Sequence, residues 1–428
     1  MRNHNTIQVF EHGRLTTTED SRFEQRHLNA LLKLNEYHEY TYFEAIPNGI
    51  KFNQHVGIIQ VDGLTIEILP KADKDDSDNK WKNLLLQMLK ACGKLKASSA
   101  GAAHVNKQHL NLLEVYFELY ISEVDNLIRT GLAKQYRTET SNVKALKGKL
   151  EFAGNIRQNL IHKERFYTSH QVYDQDHLLH QVLYKALDIV EQFSRGSYLY
   201  DSCRRTMLNF PEVEQIKVEK KHLDKIVLNR KTSAYSYAIE IARLIILNYS
   251  PDISSGNEKM LSLLFDMNKL WEEYILVQLR KVLENTNYEV TGQDTRPFLG
   301  SNYLQPDVVI QNKLNERETY IIDTKWKRPL NSSASVQDLR QMYAYNRFWK
   351  AEKAMLLYPG NPSNNKFREF KTDDYFNAAD GPESILHQCK MGFVSVLDKD
   401  NNLNENVGVE VLHLLEEKVF KLLEHGFE

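Results

Sequence analysis

The strongest constraint on the fold is the stretch LQPDVVIQNKLNERETYIIDTKWKRP, Leu304 to Pro329. Two apolar runs of strand type each carry an aspartate, and a polar connection between them allows an antiparallel return. Side chains alternate along a strand, so Ile321, Asp323 and Lys325 share one face. A carboxylate in such a run is costly to bury unless a cation or hydrogen bonds compensate for it. The pattern predicts a hairpin that brings Asp307 beside Asp323.

Two converging carboxylates and a nearby lysine suit one kind of chemistry. Carboxylate oxygens are hard ligands that match Mg²⁺ rather than a soft metal. We therefore expect Asp307 and Asp323 to bind Mg²⁺, with the carbonyl of Thr324 as a further ligand. Lys325 is positioned to orient or activate a water molecule and to stabilise charge on a phosphate. The set predicts metal-dependent phosphodiester hydrolysis.

The order of these residues is that of the PD-(D/E)xK nucleases. Pro306 and Asp307 are followed, after fifteen residues, by Asp323, Thr324 and Lys325. So short a motif also arises by chance. The alternative is a hairpin in which aspartate and lysine form only a cross-strand ion pair. Strand-type runs around both acids, with helical patterns before and after them, favour the nuclease.

The flanking helical patterns add further candidate residues. In DLRQMYAYNRFW, Gln341 and Tyr345 lie four residues apart and hence on one helix face. Q-x-x-x-Y after D-x-K resembles RecB-like nucleases, so we expect both residues to shape the site and contact DNA or the metal shell. Upstream, MNKLWEEYI offers Glu272 and Glu273. For Glu272, a role near the metal and an exposed helix face are equally supported; for Glu273 the exposed face is favoured.

The predicted fold class is a multidomain α/β protein, because 428 residues exceed what one core usually holds. Residues 1–75 read as a β-rich domain in which Asp62-Gly63 suits a type I′ hairpin turn. Residues 76–255 read as mainly helical with short strands, and NYSPDISSGNEK is the preferred boundary. Residues 256–428 read as a restriction-endonuclease-like α/β domain that opens with a helix from about Leu261 to Glu284.

Charge and cysteine content narrow the class of protein. A formal net charge of −2 provides no overall basic field for nucleic acid. The basic stretch from Lys134 to Arg165 either tracks phosphates or is an exposed face. Three scattered cysteines, no signal-peptide pattern and no apolar run of membrane-spanning length lead us to expect a cytoplasmic protein.

Other catalytic patterns are weak. The sequence has no GxxxxGK[ST] motif, so we do not expect the chain to hydrolyse nucleotides by itself. His177 and His180 lie three residues apart in a helical pattern. Because no third ligand joins them at a convincing spacing, we expect both to lie on the helix surface.

The chain resembles the McrC family over nearly its whole length. GIIQVDGLTIEILPK is similar to that family's N-terminal β signature, which ends here in Pro70-Lys71, and LKGKLEF resembles its central motif around Gly148. DMNKLWEEYI resembles the helix that opens the nuclease domain and aligns Glu272 with the family's glutamate. QPDVVI, YIIDTKWK, DLRQMYAY and KAMLLYP follow in the family's order. Thr324 stands where alanine is common.

The resemblance implies the nuclease subunit of a McrBC modification-dependent restriction system. In such systems the N-terminal part of McrC engages a hexameric AAA+ GTPase, McrB, and stimulates its GTP hydrolysis, so the resemblance implies that residues 1–75 are a partner-binding domain. The C-terminal domain cuts double-stranded DNA with Mg²⁺, and the partner recognises methylated cytosine. The catalytic and supporting positions implied here are Asp307, Asp323, Lys325, Glu272, Gln341 and Tyr345. Two alternatives stay open: a stand-alone RecB-like nuclease, and a non-enzymatic activator that uses the nuclease fold for assembly.

Overall fold

The computed structural model describes residues 5–37, 41–71, 78–95, 111–250, 260–327, 329, 333–361, 365–371 and 386–415. Most of the preferred boundary, NYSPDISSGNEK, lies outside these residues, as does the last helical pattern beyond residue 415.

The helices of the described residues match the segments with apolar residues at three- and four-residue spacing. They are α1 Gln25–Tyr37, α2 Asp78–Ala91, α3 Leu112–Thr130, α4 Phe152–Asn159, α5 Leu178–Phe193, α6 Tyr198–Asn209, α7 Lys220–Asp224, α8 Ser236–Leu247, α9 Met267–Leu283, α10 Val336–Trp349 and α11 Val407–Leu415.

Strands occur along the chain both before and after the central helices, and some lie between them. They are β1 Thr6–Phe10, β2 Arg14–Thr16, β3 Phe43–Ile46, β4 Gly49–Phe52, β5 His55–Val61, β6 Leu64–Leu69, β7 Gln135–Val143, β8 Lys149–Leu150, β9 Phe166–Asp174, β10 Tyr249–Ser250, β11 Met260–Asp266, β12 Tyr288–Gly292, β13 Arg296–Leu299, β14 Asn302–Leu304, β15 Val308–Asn312, β16 Asn315–Thr324, β17 Lys353–Pro359, β18 Arg368–Glu369 and β19 Gln388–Val394. The predicted mixed α/β character is confirmed.

Contacts divide the chain into two compact units. The first comprises Met1–Gly57, Leu64–Lys96 and Leu264–Glu428, and the second comprises Ile58–Gly63 and Ala97–Leu263. Most of the N-terminal strands therefore belong to the same unit as the C-terminal α/β part. The boundaries near residues 75 and 255, drawn from composition, stay predictions about functional domains.

The first unit is built on a six-stranded sheet in the order β12-β15-β16-β17-β19-β18. Strands β12, β15 and β16 pair antiparallel, whereas β16, β17 and β19 pair parallel. Helix α10 packs on β16, β17 and β19, and α9 packs on β12 and β16. Met342, Tyr345 and Trp349 of α10 share a buried apolar cluster with Ile321 of β16. This packing fixes the strands that carry the candidate site.

Two local predictions, one in the N-terminal strands and one at the start of the C-terminal α/β part, meet different outcomes. The turn between β5 and β6 is confirmed, because Asp62 and Gly63 both have positive φ, 44° and 77°. The helix expected from Leu261 is wrong at its start: residues Met260–Asp266 form β11. An apolar run without polar interruptions fits strand or helix equally well. The helix begins only after Asp266, whose carboxylate accepts hydrogen bonds from the backbone N–H groups of Asn268 and Lys269.

The second unit packs the long helices α3, α5, α6 and α8 against one another. The expectation that His177 and His180 lie on a helix surface is wrong, since both are buried. The His180 ring contacts the Gln175 carbonyl through Nδ1 at 2.7 Å and the Tyr235 hydroxyl through Nε2 at 3.1 Å. A histidine with both ring nitrogens satisfied in this way is stable in a core, and burial lowers the pKa of His180 to about 4.

Candidate active site

The hairpin inferred from the sequence is confirmed. Strands β15 and β16 pair antiparallel with Val308 opposite Ile322, and Asp307 immediately precedes β15. The backbone N–H of Thr324 donates to Asp307 Oδ2 at 2.6 Å, and the Thr324 hydroxyl donates to the same oxygen at 2.9 Å. The register therefore brings the Asp307 carboxylate against the end of β16, next to Asp323.

Lys325 lies at the point where β16 ends. Its Nζ is 2.6 Å from Asp323 Oδ2, and its backbone N–H donates to the Leu357 carbonyl at 2.8 Å. Asp323 is only 1% exposed, whereas the lysine keeps 23% of its side chain accessible. The ion pair joins Asp323 near the end of β16 to the residue just after that strand, so it is not the cross-strand pair of the alternative interpretation. Lys325 also interacts electrostatically with the half-buried Asp307 carboxylate.

The electrostatics of the set follow from burial. Desolvation raises the pKa of Asp323 to about 6, and the charge of Asp307 adds to the rise. Desolvation also raises the pKa of Asp307 to about 6, with the charge of Glu272 contributing. Burial by itself would lower the pKa of Lys325, but the neighbouring Asp323 carboxylate raises it overall. Lys325 is therefore a cation at neutral pH, in a site with an excess of carboxylates.

The two adjacent glutamates of α9 have different surroundings. Glu272 accepts a hydrogen bond from Gln293 Nε2 at 2.8 Å, and burial raises its pKa with a contribution from Asp323. Glu273 instead pairs with Lys94 Nζ at 2.8 Å. Glu272 thus senses the aspartates electrostatically. Among the described residues, however, no three His, Cys, Asp or Glu side chains converge closely enough to hold a metal ion.

The donor set fits a hard divalent cation through two carboxylates rather than three. Asp323 is buried and Asp307 is half-buried beside it, and desolvation raises the pKa of both carboxyl groups despite the neighbouring Lys325. A Mg²⁺ ion would relieve the repulsion between these carboxylates, and oxygen donors are the ligands that it prefers. Glu272 would have to move, or act through a water molecule, to contribute.

Gln341 and Tyr345 form a short chain of hydrogen bonds behind the hairpin. Gln341 Nε2 donates to the Tyr345 hydroxyl at 2.6 Å, and that hydroxyl donates to the Gln305 carbonyl at 2.9 Å. Tyr345 is buried, and burial together with the charges of Asp323 and Asp307 raises its pKa to about 12. The structure thus places Tyr345 against the backbone that leads into Asp307.

Sequence reasoning missed several charged neighbours of the site. Asp338, in the first turn of α10, is buried and pairs with Lys327 Nζ at 3.1 Å. Its backbone N–H donates to the Ser335 side chain at 3.0 Å, so the S-x-x-D capping pattern was a signal in the sequence. Glu11 also reaches this region by bonding to Trp326. No local pattern indicates that contact, because the two residues are 315 positions apart.

A second unusual surface belongs to the β7–β9 module, which we define as residues 135–174. Strand β9 pairs antiparallel with β7 over nine residues and with β8 over two, and α4 packs on it. Gly148 has φ +63°, and an added Cβ would lie 2.4 Å from the Ser169 carbonyl oxygen, so the central glycine of LKGKLEF is required sterically.

The β7–β9 module distributes its polar and apolar side chains differently from an ordinary core. The buried Asn159 exchanges hydrogen bonds at 2.8 Å with the exposed Asn142 and donates a further one to the half-buried Asn155. The module's large apolar side chains are exposed instead, namely Tyr136, Leu146, Phe152, Ile156, Leu160, Ile161 and Tyr173. Basic residues are partly engaged, since Arg137 pairs with Asp174 at 3.0 Å. A cluster of exposed apolar groups marks a protein-binding surface more clearly than a phosphate-binding one.

Fold and site together define a mixed α/β protein with an acidic pair and a lysine at the ends of two adjacent sheet strands. Residues 50–359 match the family model of the McrBC 5-methylcytosine restriction system component, and the chain belongs to this family. The matched span includes every candidate site residue from Glu272 to Tyr345. The family assignment made from the motifs is confirmed.

Individual relatives agree with this assignment. The chain is 24% identical over 186 residues to the type IV methyl-directed restriction enzyme EcoKMcrBC of Escherichia coli K12, covering 43% of this chain and 52% of that relative. The chain therefore spans about half the length of the curated relative that it matches.

Solved structures share the fold. One is a chain of the half-complex from the tetradecameric assembly of Thermococcus gammatolerans McrB AAA+ hexamers with bound McrC. Its TM-score is 0.68 at 18% identity, covering 96% of this chain and 100% of that one. The cryo-EM structure of the T. gammatolerans McrBC complex matches with a TM-score of 0.50 at 21% identity over 65% of this chain and 88% of that one. Within the described part of our chain, no helix has the length and hydropathy needed to span a bilayer.

Proposed function

We propose that this chain is the Mg²⁺-dependent endonuclease subunit of a modification-dependent restriction complex. Its C-terminal α/β part would be a PD-(D/E)xK nuclease domain that hydrolyses phosphodiester bonds in double-stranded DNA. The observation that carries the proposal is the meeting of Asp307, Asp323 and Lys325 at the ends of two paired strands. A purely structural hairpin has no need to hold a buried and a half-buried acid side by side at the cost of their raised pKa values.

The arrangement assigns separate tasks to the residues of the site. Asp307, held by both Thr324 bonds, and Asp323 would be the Mg²⁺ ligands, with the Thr324 carbonyl as a third donor. A bound Mg²⁺ supplies Lewis-acid stabilisation of charge on the phosphoryl oxygens. The raised pKa of Lys325 keeps it protonated, so we assign it to orienting the attacking water and stabilising negative charge rather than to accepting a proton. Tyr345 and Gln341 hold the Gln305 backbone, and hence Asp307, in place.

The partner in this proposal is a hexameric AAA+ GTPase of the McrB type, as in the structurally similar Thermococcus assembly. We propose that the exposed apolar side chains of the β7–β9 module contact this ring. Their number and exposure support the assignment, because side chains of this kind lose water when a protein partner covers them. Recognition of the modified base would belong to the partner.

The decisive experiment is a cleavage assay on methylated and unmethylated double-stranded DNA. The purified chain is tested alone and with a McrB-type AAA+ protein from the same organism, with and without Mg²⁺ and GTP. The proposal requires cutting only with Mg²⁺, partner and nucleotide together. Cutting by the chain alone with Mg²⁺ would indicate a stand-alone RecB-like nuclease. GTPase stimulation without any cleavage would indicate a non-enzymatic activator.

A further inference from the structure

Glu11 is a buried carboxylate at the end of the first strand, far in sequence from the candidate active site. It follows β1 directly and is only 5% exposed. Its backbone N–H donates to the Leu69 carbonyl at 2.9 Å, which fixes its main chain against β6. The residue precedes the span matched by the family model. Burying a carboxylate is costly, so its position calls for a physical reason.

The side chain of Glu11 links the N-terminal strands to the end of β16. Its Oε1 atom accepts one hydrogen bond from the Lys71 backbone N–H at 2.8 Å and one from Trp326 Nε1 at 2.6 Å. A carboxylate that accepts an N–H at so short a distance makes a charge-assisted bond. The indole of Trp326 is thereby held in one orientation.

Trp326 follows Lys325 directly in the chain, so an anchored Trp326 restricts where the Lys325 side chain can lie. Strand β16 ends at Thr324, and the Lys325 N–H bond to the Leu357 carbonyl holds the backbone just beyond it. The next side chain, Trp326, is anchored by Glu11 and packs at 5.5 Å between ring centroids against Trp271 of α9. Release of the indole would free the backbone at Trp326. Lys325 Nζ would then lose its fixed place 2.6 Å from Asp323.

The alternative is that the Glu11–Trp326 bond only stabilises the fold. A buried carboxylate is a costly way to achieve that. Glu11 Oε2 is buried and accepts no hydrogen bond from any described residue. Desolvation raises the pKa of Glu11 to about 7, outweighing the two hydrogen bonds that lower it. Apolar side chains of similar size would fill the space at a lower free-energy cost. A residue that costs stability in this way is expected where the geometry that it holds serves function.

We infer that Glu11 is a positioning residue for Lys325 and acts through the Trp326 indole. The inference rests on the nuclease function proposed above. The Glu11 side chain contacts Trp326 and not Lys325, and through the indole it sets the direction of the lysine ammonium group. The N-terminal strands are thus part of the catalytic apparatus, although the motif that identifies it lies about 300 residues later in the chain.

The test uses the full chain with its ring partner. Glu11→Leu removes the acceptor, Trp326→Phe removes the donor but keeps an aromatic ring and the Lys71 bond, and Glu11→Gln keeps an acceptor oxygen. We expect Glu11→Leu and Trp326→Phe each to lower kcat for Mg²⁺-dependent DNA cleavage about tenfold with little change in KM, because a small misplacement of a reacting group is costly. Glu11→Gln should restore most of kcat. The Glu11→Leu/Trp326→Phe double variant should have a kcat no lower than that of Glu11→Leu, since both single variants break the same Glu11–Trp326 bond.

A second readout is amide hydrogen exchange of residues 320–327, which we expect to rise locally in Glu11→Leu and Trp326→Phe. The matched control is Tyr288→Phe, which deletes another bond from a buried aromatic donor to a glutamate in the same unit, 3.0 Å to Glu318 Oε2. This control should lower thermal stability while leaving kcat and exchange at 320–327 unchanged.

Several results would overturn the inference. One is a Glu11→Leu protein with kcat within about twofold of wild type and unchanged exchange. Another is an equal loss of kcat in Glu11→Leu and Tyr288→Phe with exchange raised throughout the unit, which would reduce Glu11 to a stabilising role. If the wild-type complex cuts no DNA, the proposed function fails on its own. Exchange then decides: a rise confined to residues 320–327 supports the positioning link, and no local rise overturns it.

Discussion

The β15–β16 hairpin and the β7–β9 module depart from the usual distribution of polarity in opposite directions. The hairpin buries Asp323, half-buries Asp307 and keeps them close together, whereas the module buries Asn159 and exposes phenylalanine, isoleucine and leucine. Each departure has a cost, because buried charge loses hydration and exposed apolar surface orders water. Each is therefore informative. The first indicates chemistry within the chain, and the second indicates a surface to be covered by another protein.

The largest expected effect separates the two regions directly. Asp323→Ala or Lys325→Ala should lower partner-dependent DNA cleavage by at least about 10³-fold, because both groups act on charge that develops in the transition state. Stimulation of the partner's GTPase should remain within about twofold, since the β7–β9 module is unchanged. Cleavage and GTP hydrolysis are measured in the same reactions. Retained cleavage in either variant would refute the assignment of the site.

Substitutions in the β7–β9 module should instead weaken partner binding and GTPase stimulation. Ile156→Asp with Leu160→Asp places charges at side chains that are 63% and 72% exposed. We expect about a 30-fold to 100-fold weaker affinity for the ring partner, as for loss of an interface hot spot, and a matching loss of GTPase stimulation. Thermal stability should change little, because these side chains contribute little to the core.

The matched control for that variant is Val227→Asp, at an apolar residue of the same unit that is 85% exposed and lies outside the module. It should leave both affinity and stimulation unchanged. If Val227→Asp weakens binding as much as the double variant does, the effect is one of added charge, and the module is not the contact surface.

The smallest expected effect is on stability, and its sign follows from the raised carboxyl pKa values. Burial raises the pKa of Asp323 to about 6, above its ordinary value of 3.8. The folded state therefore binds the proton more tightly, and stability present below about pH 4 is lost as pH rises through about 6. Without metal, the wild-type protein should lose on the order of 2 kcal/mol more than Asp323→Asn between pH 4 and 7.

Thermal unfolding with chelator present measures this difference. Addition of Mg²⁺ at pH 7 should stabilise the wild type and not Asp323→Asn, because only the former offers two carboxylates. If the stability of the two proteins fell equally with rising pH, ionisation of Asp323 would not destabilise the folded state, and the prediction would be wrong. Equal stabilisation by Mg²⁺ would place the metal elsewhere.

The amino-acid sequence by itself determined the local features of the site. Asp307, Asp323 and Lys325 stand in strand-type runs at a spacing that permits only a few arrangements, and the hairpin pairs as this spacing predicts. The Asp62-Gly63 turn and the helix from Val336 to Trp349 are equally local, since turn geometry and periodic apolar residues act over a few positions.

Only the tertiary structure decided the contacts made over long sequence separations. It showed β11 as a strand where apolar content fits a helix equally well, and it buried His177 and His180. It also brought Glu11 to Trp326 and Tyr345 to Gln305. Such contacts depend on which surfaces pack together, and no local periodicity records that. The motif thus predicts the reacting groups, while the packing of distant strands and helices decides which residues hold them in place.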